Sequence, residues 1–279
     1  MGRRHLVERP IFIWGAPRSG TTLLYQLITH HPHVGYLRSE EGRPLEGTRL
    51  WWQVFGEHRG VMDVSLACPS KVKQICNEYA SLLRQRSKSR LLDKSPFMTL
   101  WIPLINKVFP DARHIHIIRD GKAVVNSILY KLRYSPQEKD VPFREGKVMF
   151  GPHPPELIDP MSLQPALRHA RQWIMLVEHG RHCRKILGER YCELRYEDVV
   201  SATPTTMRMI LRHAQLPLNE EYLNEVYPHT LENRNYKWKG EKKSAMDDGY
   251  TAHRAFESED IPYLSEMNPL LRSLGYEEL

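Results

Sequence analysis

The sequence IFIWGAPRSGTTLL at residues 11–24 begins as an apolar run, passes through a turn with two glycines and continues with apolar residues at helical spacing. This order predicts a strand, a loop and a helix in direct succession. Gly15 and Gly20 are separated by four residues, as in the Walker A pattern of phosphate-binding loops. Thr21 stands where that pattern has its lysine. The stretch therefore predicts a phosphate-binding loop, but not one for an ordinary nucleoside triphosphate.

The loop carries the groups that an anion needs. The backbone N–H groups of residues 19–22 would lie at a helix N-terminus, where the helix dipole also favours negative charge. Arg18 adds a fixed positive charge, and Thr21 and Thr22 add hydroxyl donors. The alternative is an ordinary connection between a strand and a helix that happens to contain glycines. The coincidence of glycines, arginine, serine and threonines at this point favours the anion site.

The whole chain has the composition of a globular protein, with 279 residues, 41% hydrophobic and 26% charged. We predict a single α/β domain over 1–279. The sequence shows no apolar run of about 20 residues, which a membrane helix needs, and no signal-peptide pattern. Its four cysteines are scattered, which predicts buried free thiols and a cytoplasmic location. The net charge of +7 indicates an anionic partner.

Strand patterns at 91–94, 113–119 and 190–195 alternate with helical patterns such as 70–88 and 163–187. This alternation predicts a parallel β-sheet flanked by helices. In such sheets ligands bind at the carboxyl ends of the strands, so the residues that follow each strand are expected to converge on one edge.

A second anion site is predicted one strand–helix unit beyond the first. Arg119 ends the strand at 113–119, and Ser127 lies two turns into the following helix. Their charge and hydroxyl could hold one phosphate between them. A Walker B strand would end instead in an aspartate that binds magnesium. Two anion sites on adjacent units fit a nucleotide that is phosphorylated at both ends.

Four segments in this order resemble the sulfotransferases: APRSGTTLL (16–24), DKSPF (93–97), FPDARHIHIIRDGKAVVNS (109–127) and LRYEDVV (194–200). These enzymes use 3′-phosphoadenosine-5′-phosphosulfate (PAPS) as the donor and release adenosine 3′,5′-bisphosphate (PAP). The resemblance implies a P-loop NTPase-like fold with a parallel sheet. It also implies transfer of a sulfuryl group by in-line displacement, for which we expect no metal ion.

The resemblance assigns roles to individual residues. Arg119 and Ser127 would hold the 3′-phosphate, and Tyr196 would lie against the adenine. Lys237 and Lys239 match a basic loop that closes over the nucleotide, although a solvated charge run is the alternative there. The 5′-phosphosulfate would be held by the loop residues Arg18, Ser19, Gly20, Thr21 and Thr22.

The same resemblance points to the groups that assist the reaction. Lys94 and Arg18 would neutralise charge on the leaving phosphate. The segment EEGR at 40–43 resembles the Glu-Glu-x-Arg segment of the tyrosylprotein sulfotransferases, in which the second glutamate is the proposed base. Glu41 is therefore the predicted general base and Glu40 the second choice. An exposed acidic pair is the alternative interpretation.

Histidine is the base in other sulfotransferases, so His58 and His153 also remain candidates. We expect the acceptor to be shaped by 36–60 and by the proline-rich segment 133–161, whose lack of periodicity is typical of a functional loop. The acceptor class stays open among a sugar hydroxyl, a lipid, a small-molecule alcohol and a tyrosine, with an amine as the alternative to a hydroxyl. The oligomeric state is not predicted.

Two other functions compete with this interpretation. A P-loop nucleotide kinase or nucleotide-binding protein with a degenerate Walker A loop is disfavoured by Thr21, Arg119 and Ser127. A nucleic-acid-binding protein would account for the positive charge, but the sequence shows no recognition helix, zinc finger or RNA-binding motif. We therefore expect no nucleic-acid partner.

Overall fold

The computed structural model describes residues 7–134, 150–201, 203–218, 220, 223–224 and 258–279. Within these ranges, all strands pair in parallel in one sheet of order β2-β3-β1-β4-β5. The strands are β1 (Ile11–Trp14), β2 (Val34–Gly35), β3 (Arg90–Lys94), β4 (Arg113–Ile118) and β5 (Tyr191–Arg195).

Helices connect these strands and cover both faces of the sheet, which confirms the predicted α/β class. They are α1 (Thr21–Thr29), α2 (Thr48–Phe55), α3 (Pro69–Gln85), α4 (Ile102–Val108), α5 (Gly121–Tyr134), α6 (Pro165–Leu187), α7 (Tyr196–Ser201), α8 (Thr203–His213), α9 (Ile261–Leu264) and α10 (Asn268–Ser273).

Successive side chains of β1 enter two separate cores, because neighbouring residues of a strand point to opposite faces. Ile11 and Ile13 pack with apolar residues of α1 and α8. Phe12 and Trp14 pack with the larger cluster that α2 to α6 supply. All four residues of β1 are fully buried, as is expected for a central strand of a parallel sheet.

The register of the sheet aligns the strand ends that carry polar residues. Ile13 of β1 pairs with Lys94 of β3 on one side and with Ile115 of β4 on the other. Ile118 of β4 pairs with Arg195 of β5. The loop after β1 therefore lies between Lys94 and the residues that follow β4, as the sequence predicted.

Residues 33–60 contain regular structure in spite of their several glycines. They contain the short strand β2 and the two-turn helix α2, of which Trp51, Val54 and Phe55 are buried.

All four cysteines are free thiols, as predicted. Cys68 is exposed, however, whereas all four were expected to be buried. None of the described helices combines the length and the apolarity that crossing a bilayer requires.

Candidate functional site

The loop between β1 and α1 has the conformation that its sequence predicts. Gly20 is the N-cap of α1 and has φ +94°, and Arg18 also has positive φ, at +68°. The Ser19 N–H donates to the carbonyl of Ala16 at 3.1 Å, which closes the turn. The hydroxyl of Ser19 is fully buried and finds no hydrogen-bond partner among the described residues. An oxyanion held by this loop would supply the missing partner.

Tyr196 reaches the loop from the end of β5. A Cβ on Gly20 would lie 2.2 Å from Cδ2 of Tyr196, so only glycine fits beside this ring. On the ring of Tyr196 lies the guanidinium of Arg119, whose Cζ is 4.5 Å from the ring centroid. Tyr196 thus contacts two other residues that are predicted to bind the donor, Gly20 and Arg119.

Arg119, Arg18 and Ser127 form a second chain of contacts around the loop. Arg119 Nη1 donates to the backbone carbonyl of Arg18 at 3.1 Å. Arg18 Nε in turn donates to Ser127 Oγ on α5 at 2.9 Å. Arg119 is only 7% exposed, so its positive charge is largely withdrawn from solvent beside the loop. The predicted 3′-phosphate pair therefore lies next to the predicted 5′-phosphosulfate loop.

Lys94 stands at the end of β3 on the other side of the loop. Its side chain is 2% exposed, and its Nζ donates to Thr22 Oγ1 at 3.0 Å. The same Nζ makes a short ion pair with Oε1 of Glu46, a residue that no motif of the sequence singled out. Lys94 thus joins the loop after β1 to the segment that leads into α2.

Glu40 and Glu41 lie elsewhere on that segment. Both are exposed, and Glu41 accepts a hydrogen bond from its neighbour Ser39 at 3.2 Å. They occupy a tight turn that is closed by a bridge between Arg38 and Pro44. The structure therefore places Glu46, rather than either of the predicted glutamates, against the buried lysine. Glu41 as the base stays a prediction.

Tyr25 supports the backbone beside Glu46. Its hydroxyl donates to the carbonyl of Leu45 at 3.0 Å. Burial, followed by the nearby charge of Asp93, raises the pKa of Tyr25 well above its usual value, so the hydroxyl stays protonated. The side chain of Asp93 is itself completely buried, and that burial raises its pKa to about 6.

Residues 150–153 contact both the loop and the segment before α3. A Cβ on Gly151 would lie 2.5 Å from Cγ of Pro17 in the loop. The His153 N–H donates to the carbonyl of Arg59 at 2.7 Å. From α6, the Gln172 amide donates to the carbonyls of residues 150 and 152, both at 2.8 Å. The two segments predicted to shape the acceptor pocket therefore meet at the edge of the site.

Other predicted features fall outside these contacts. Lys237 and Lys239, and residues 135–149 of the proline-rich segment 133–161, lie outside the described residues. Within the described ranges, no group of three or more His, Cys, Asp or Glu side chains could hold a metal ion. That the reaction needs no metal stays a prediction.

The fold agrees with that of solved sulfotransferases. The sulfotransferase domain of the Synechococcus PCC 7002 olefin synthase superposes with a TM-score of 0.57 at 19% identity, over 100% of this chain and 99% of that one. Mouse sulfotransferase SULT7A1, solved in complex with PAP, gives a TM-score of 0.55 at 13% identity, over 98% and 90% of the two chains. At these identities the likeness shows the fold.

Relatives in sequence carry matching names. The protein-tyrosine sulfotransferase of Drosophila melanogaster is 26% identical over 220 residues, 77% of this chain and 39% of that protein. Protein-tyrosine sulfotransferase A of Caenorhabditis elegans is 32% identical over 130 residues, 43% of this chain and 32% of that protein. The chain thus aligns with 39% and 32% of the length of these two relatives.

A family model described as "Sulfotransferase family" matches residues 10–220, which contain every strand of the sheet and the contacts described above. The match covers far more than half of the 279 residues. A kinase or other nucleotide-binding function with a degenerate loop is not favoured by these findings. The chain belongs to the sulfotransferase family.

Proposed function

We propose that this sulfotransferase moves the sulfuryl group of PAPS to an acceptor hydroxyl by in-line displacement. The observation that carries the proposal is the contact chain from Tyr196 through Arg119 and Arg18 to Ser127, beside the loop with its buried Ser19 hydroxyl. It would provide two adjacent anion sites and an aromatic ring, which are the features needed for a nucleotide with phosphates at both ends.

We further propose Glu46 as the general base and Lys94 as the group that stabilises the leaving phosphate. Glu46 would take the proton of the acceptor hydroxyl as its oxygen attacks sulfur. The bond between sulfur and the bridging oxygen of the 5′-phosphate breaks, and PAP leaves with the electron pair. Lys94 and Arg18 would stabilise the charge that develops on that oxygen. The ion pair between Lys94 and Glu46 supports this assignment, because it places base and cation at one point.

The acceptor would enter between the segments 36–60 and 133–161, and we propose that its hydroxyl is carried on an apolar or aromatic group. The support is a half-buried aromatic pair that follows Glu46 and Lys94 in the chain: Trp52 meets Phe97 edge to face, with centroids 5.3 Å apart. A phenol, a lipid alcohol and a glycan with an apolar aglycone all fit this description. Labelled PAPS with 2-naphthol, a tyrosine-containing peptide, a cello-oligosaccharide and cholesterol would separate these classes.

Nucleotide binding tests the donor assignment directly. Isothermal titration should show that PAP binds at least about 30-fold more tightly than ATP, as expected when one buried charged contact to a phosphate is worth about 2 kcal/mol. Arg119→Ala should remove that preference. Arg212→Ala, an exposed arginine on α8, is the matched control and should retain it. Equal affinities of the unaltered protein for PAP and ATP would refute the assignment, and tighter binding of ATP would restore the kinase alternative.

A further inference from the structure

The carboxylate of Asp93 lies beneath the ion pair of Glu46 and Lys94. One oxygen, Oδ1, accepts the backbone N–H of Gly47 at 2.8 Å and the backbone N–H of Lys94 at 2.7 Å. Gly47 directly follows Glu46 in the chain. A single oxygen thus accepts hydrogen bonds from the main chain at Lys94 and at the residue next to Glu46.

The second oxygen of Asp93 is held from two helices. Tyr79 of α3 donates its hydroxyl to Oδ2 at 2.5 Å, and Trp51 of α2 donates its indole N–H to that hydroxyl at 2.8 Å. Tyr79 and Trp51 are completely buried. Both oxygens of the carboxylate therefore accept hydrogen bonds, which fixes its orientation.

Gly47 makes this approach possible. A Cβ at this position would lie 1.8 Å from Oδ2 of Asp93, a distance that no real contact allows. The φ of Gly47 is −70°, which any residue can adopt, so backbone conformation does not require glycine here. The requirement comes from the carboxylate alone. Thr48 Oγ1 and Ser95 Oγ, 2.6 Å apart, join the same two segments once more.

Burial of a carboxylate lowers the stability of the folded protein, because the desolvation of the charge opposes folding. An apolar contact between the same two segments would stabilise the core better. The backbone bonds that it makes are confined to the two site segments. We propose that Asp93 and Tyr79 are positioning residues, which hold Glu46 and Lys94 at the distance that sulfuryl transfer requires. The inference rests on the proposed role of Glu46 as base.

Tyr79→Phe tests the inference with a small change, since it removes one hydroxyl and keeps the ring. The rate is measured as single-turnover transfer of label from 35S-labelled PAPS to an acceptor. The acceptor is whichever of 2-naphthol, the tyrosine peptide, the oligosaccharide, cholesterol or water reacts fastest. We expect this rate to fall about tenfold or more, because displacement of a reacting group by about 1 Å can cost up to 100-fold. The Kd of PAP should stay within about twofold, because the contacts of Arg119 and Ser127 are untouched.

Thr206→Val is the matched control. Thr206 on α8 is buried, and its hydroxyl donates to the carbonyl of Asp198 on α7 at 2.9 Å. These two helices follow β5, whereas Asp93 and Lys94 lie on β3, and β1 and β4 separate the two strands in the sheet. It should lower Tm about as much as Tyr79→Phe and leave the transfer rate within about twofold. If Tyr79→Phe changes only Tm, or weakens PAP binding as much as it slows transfer, the inference is wrong.

Gly47→Ala provides a second test, because it removes no hydrogen-bonding group and acts only by pushing the Asp93 carboxylate. It should slow transfer without weakening PAP binding. Combined with Tyr79→Phe, its effect should be clearly smaller than the product of the two single effects, since both displace the same carboxylate. Independent, multiplying effects would contradict the inference.

Glu46→Gln separates this inference from the proposed function. If Glu46→Gln leaves the rate unchanged, Glu46 is not the base and the positioning role falls with it. If Glu46→Gln abolishes transfer but Tyr79→Phe behaves like Thr206→Val, the proposed function stands and the positioning role alone is refuted.

Discussion

Gly20 and the ring of Tyr196 approach so closely that no methyl group fits between them. A Cβ added to Gly20 would lie 2.2 Å from Cδ2 of Tyr196. Tyr196 follows the edge strand β5, whereas Gly20 precedes the helix after the central strand β1. The contact therefore fixes the loop after β1 against the residue that follows the edge strand, whose ring carries the guanidinium of Arg119.

We predict that Gly20→Ala disrupts this arrangement. The new methyl group must displace either the ring or the loop, so the Kd of PAP should rise at least about tenfold and Tm should fall by several degrees. Gly42→Ala is the control, since Gly42 also has positive φ, +81°, but a Cβ added there would meet no atom within 4 Å. It should cost only the backbone strain, on the order of 1 kcal/mol, with PAP binding unchanged. Equal loss of PAP binding in both variants would contradict the role of the contact.

Two glutamates, Glu46 and Glu41, are candidates for the general base, and their substitution by glutamine distinguishes them. Glu46→Gln keeps size and shape and removes the basic oxygen, so transfer should slow by about 10²- to 10⁴-fold, the usual contribution of a general base. Glu41→Gln should stay within about twofold of the original rate. Single-turnover transfer from labelled PAPS, with the Kd of PAP as a check on folding, distinguishes them. The opposite pattern would support the base predicted from the sequence and exclude Glu46.

The burial of the Asp93 carboxyl group predicts that the free energy of unfolding depends on pH. Burial raises its pKa from 3.8 to about 6, so in this interval the folded protein binds a proton that the unfolded chain has lost. The stability that this group contributes is therefore greatest below about pH 4 and declines as the pH rises through about 6. Asp93→Asn removes the titration, so the Tm of the variant minus that of the unaltered protein should increase from pH 4 to pH 7.

Above about pH 7 that difference in Tm should level off, because Asp93 is then fully ionised in both states. Asp159→Asn, at an exposed aspartate, is the control for the change in charge. A difference in Tm between Asp93→Asn and the unaltered protein that stays constant over the whole range would show that Asp93 does not titrate in this interval.

The aromatic pair beside the site makes a prediction about the acceptor. Trp52 donates its indole N–H to the carbonyl of His58 at 3.2 Å and packs on Phe97. Trp52→Ala should raise the KM of an aromatic or lipid acceptor about tenfold, as loss of such a contact surface suggests, with the Kd of PAP within about twofold. Gln53→Ala, at an exposed position of the same helix, should change neither. An unchanged acceptor KM in Trp52→Ala would place the acceptor elsewhere.

The donor side of the site could be predicted from the sequence because each of its residues adjoins the end of a strand. Arg18 follows β1, Lys94 ends β3, Arg119 follows β4 and Tyr196 follows β5. Parallel pairing then brings them together, whatever lies between them in the chain. The contacts of Arg119 with Arg18 and Tyr196 confirm this convergence.

The proposed acceptor side could not be predicted in the same way. Its position depends on α2, a two-turn helix between Gly47 and Gly56 whose local signals favour a loop. Burial of Trp51, Val54 and Phe55 overrides those signals, and it is this packing that carries Glu46 to Lys94. Recognising the spacing of these three residues would have placed a helix start directly after Glu46. The resemblance of the acidic pair pointed to Glu41, which lies in an exposed turn and whose role as base stays a prediction.

That turn has a use of its own. The chain leaves at Leu37 and returns at Leu45, whose N–H donates to the Leu37 carbonyl at 2.8 Å, and the ends are also joined through Arg38 and Pro44. Because the entry and exit points already touch, residues 39–43 form a small outward excursion that can be lengthened or shortened with little strain on the remaining chain. It is therefore a suitable attachment point for a fluorescent reporter, close enough to Glu46 to sense events at the site and outside the packing that forms it.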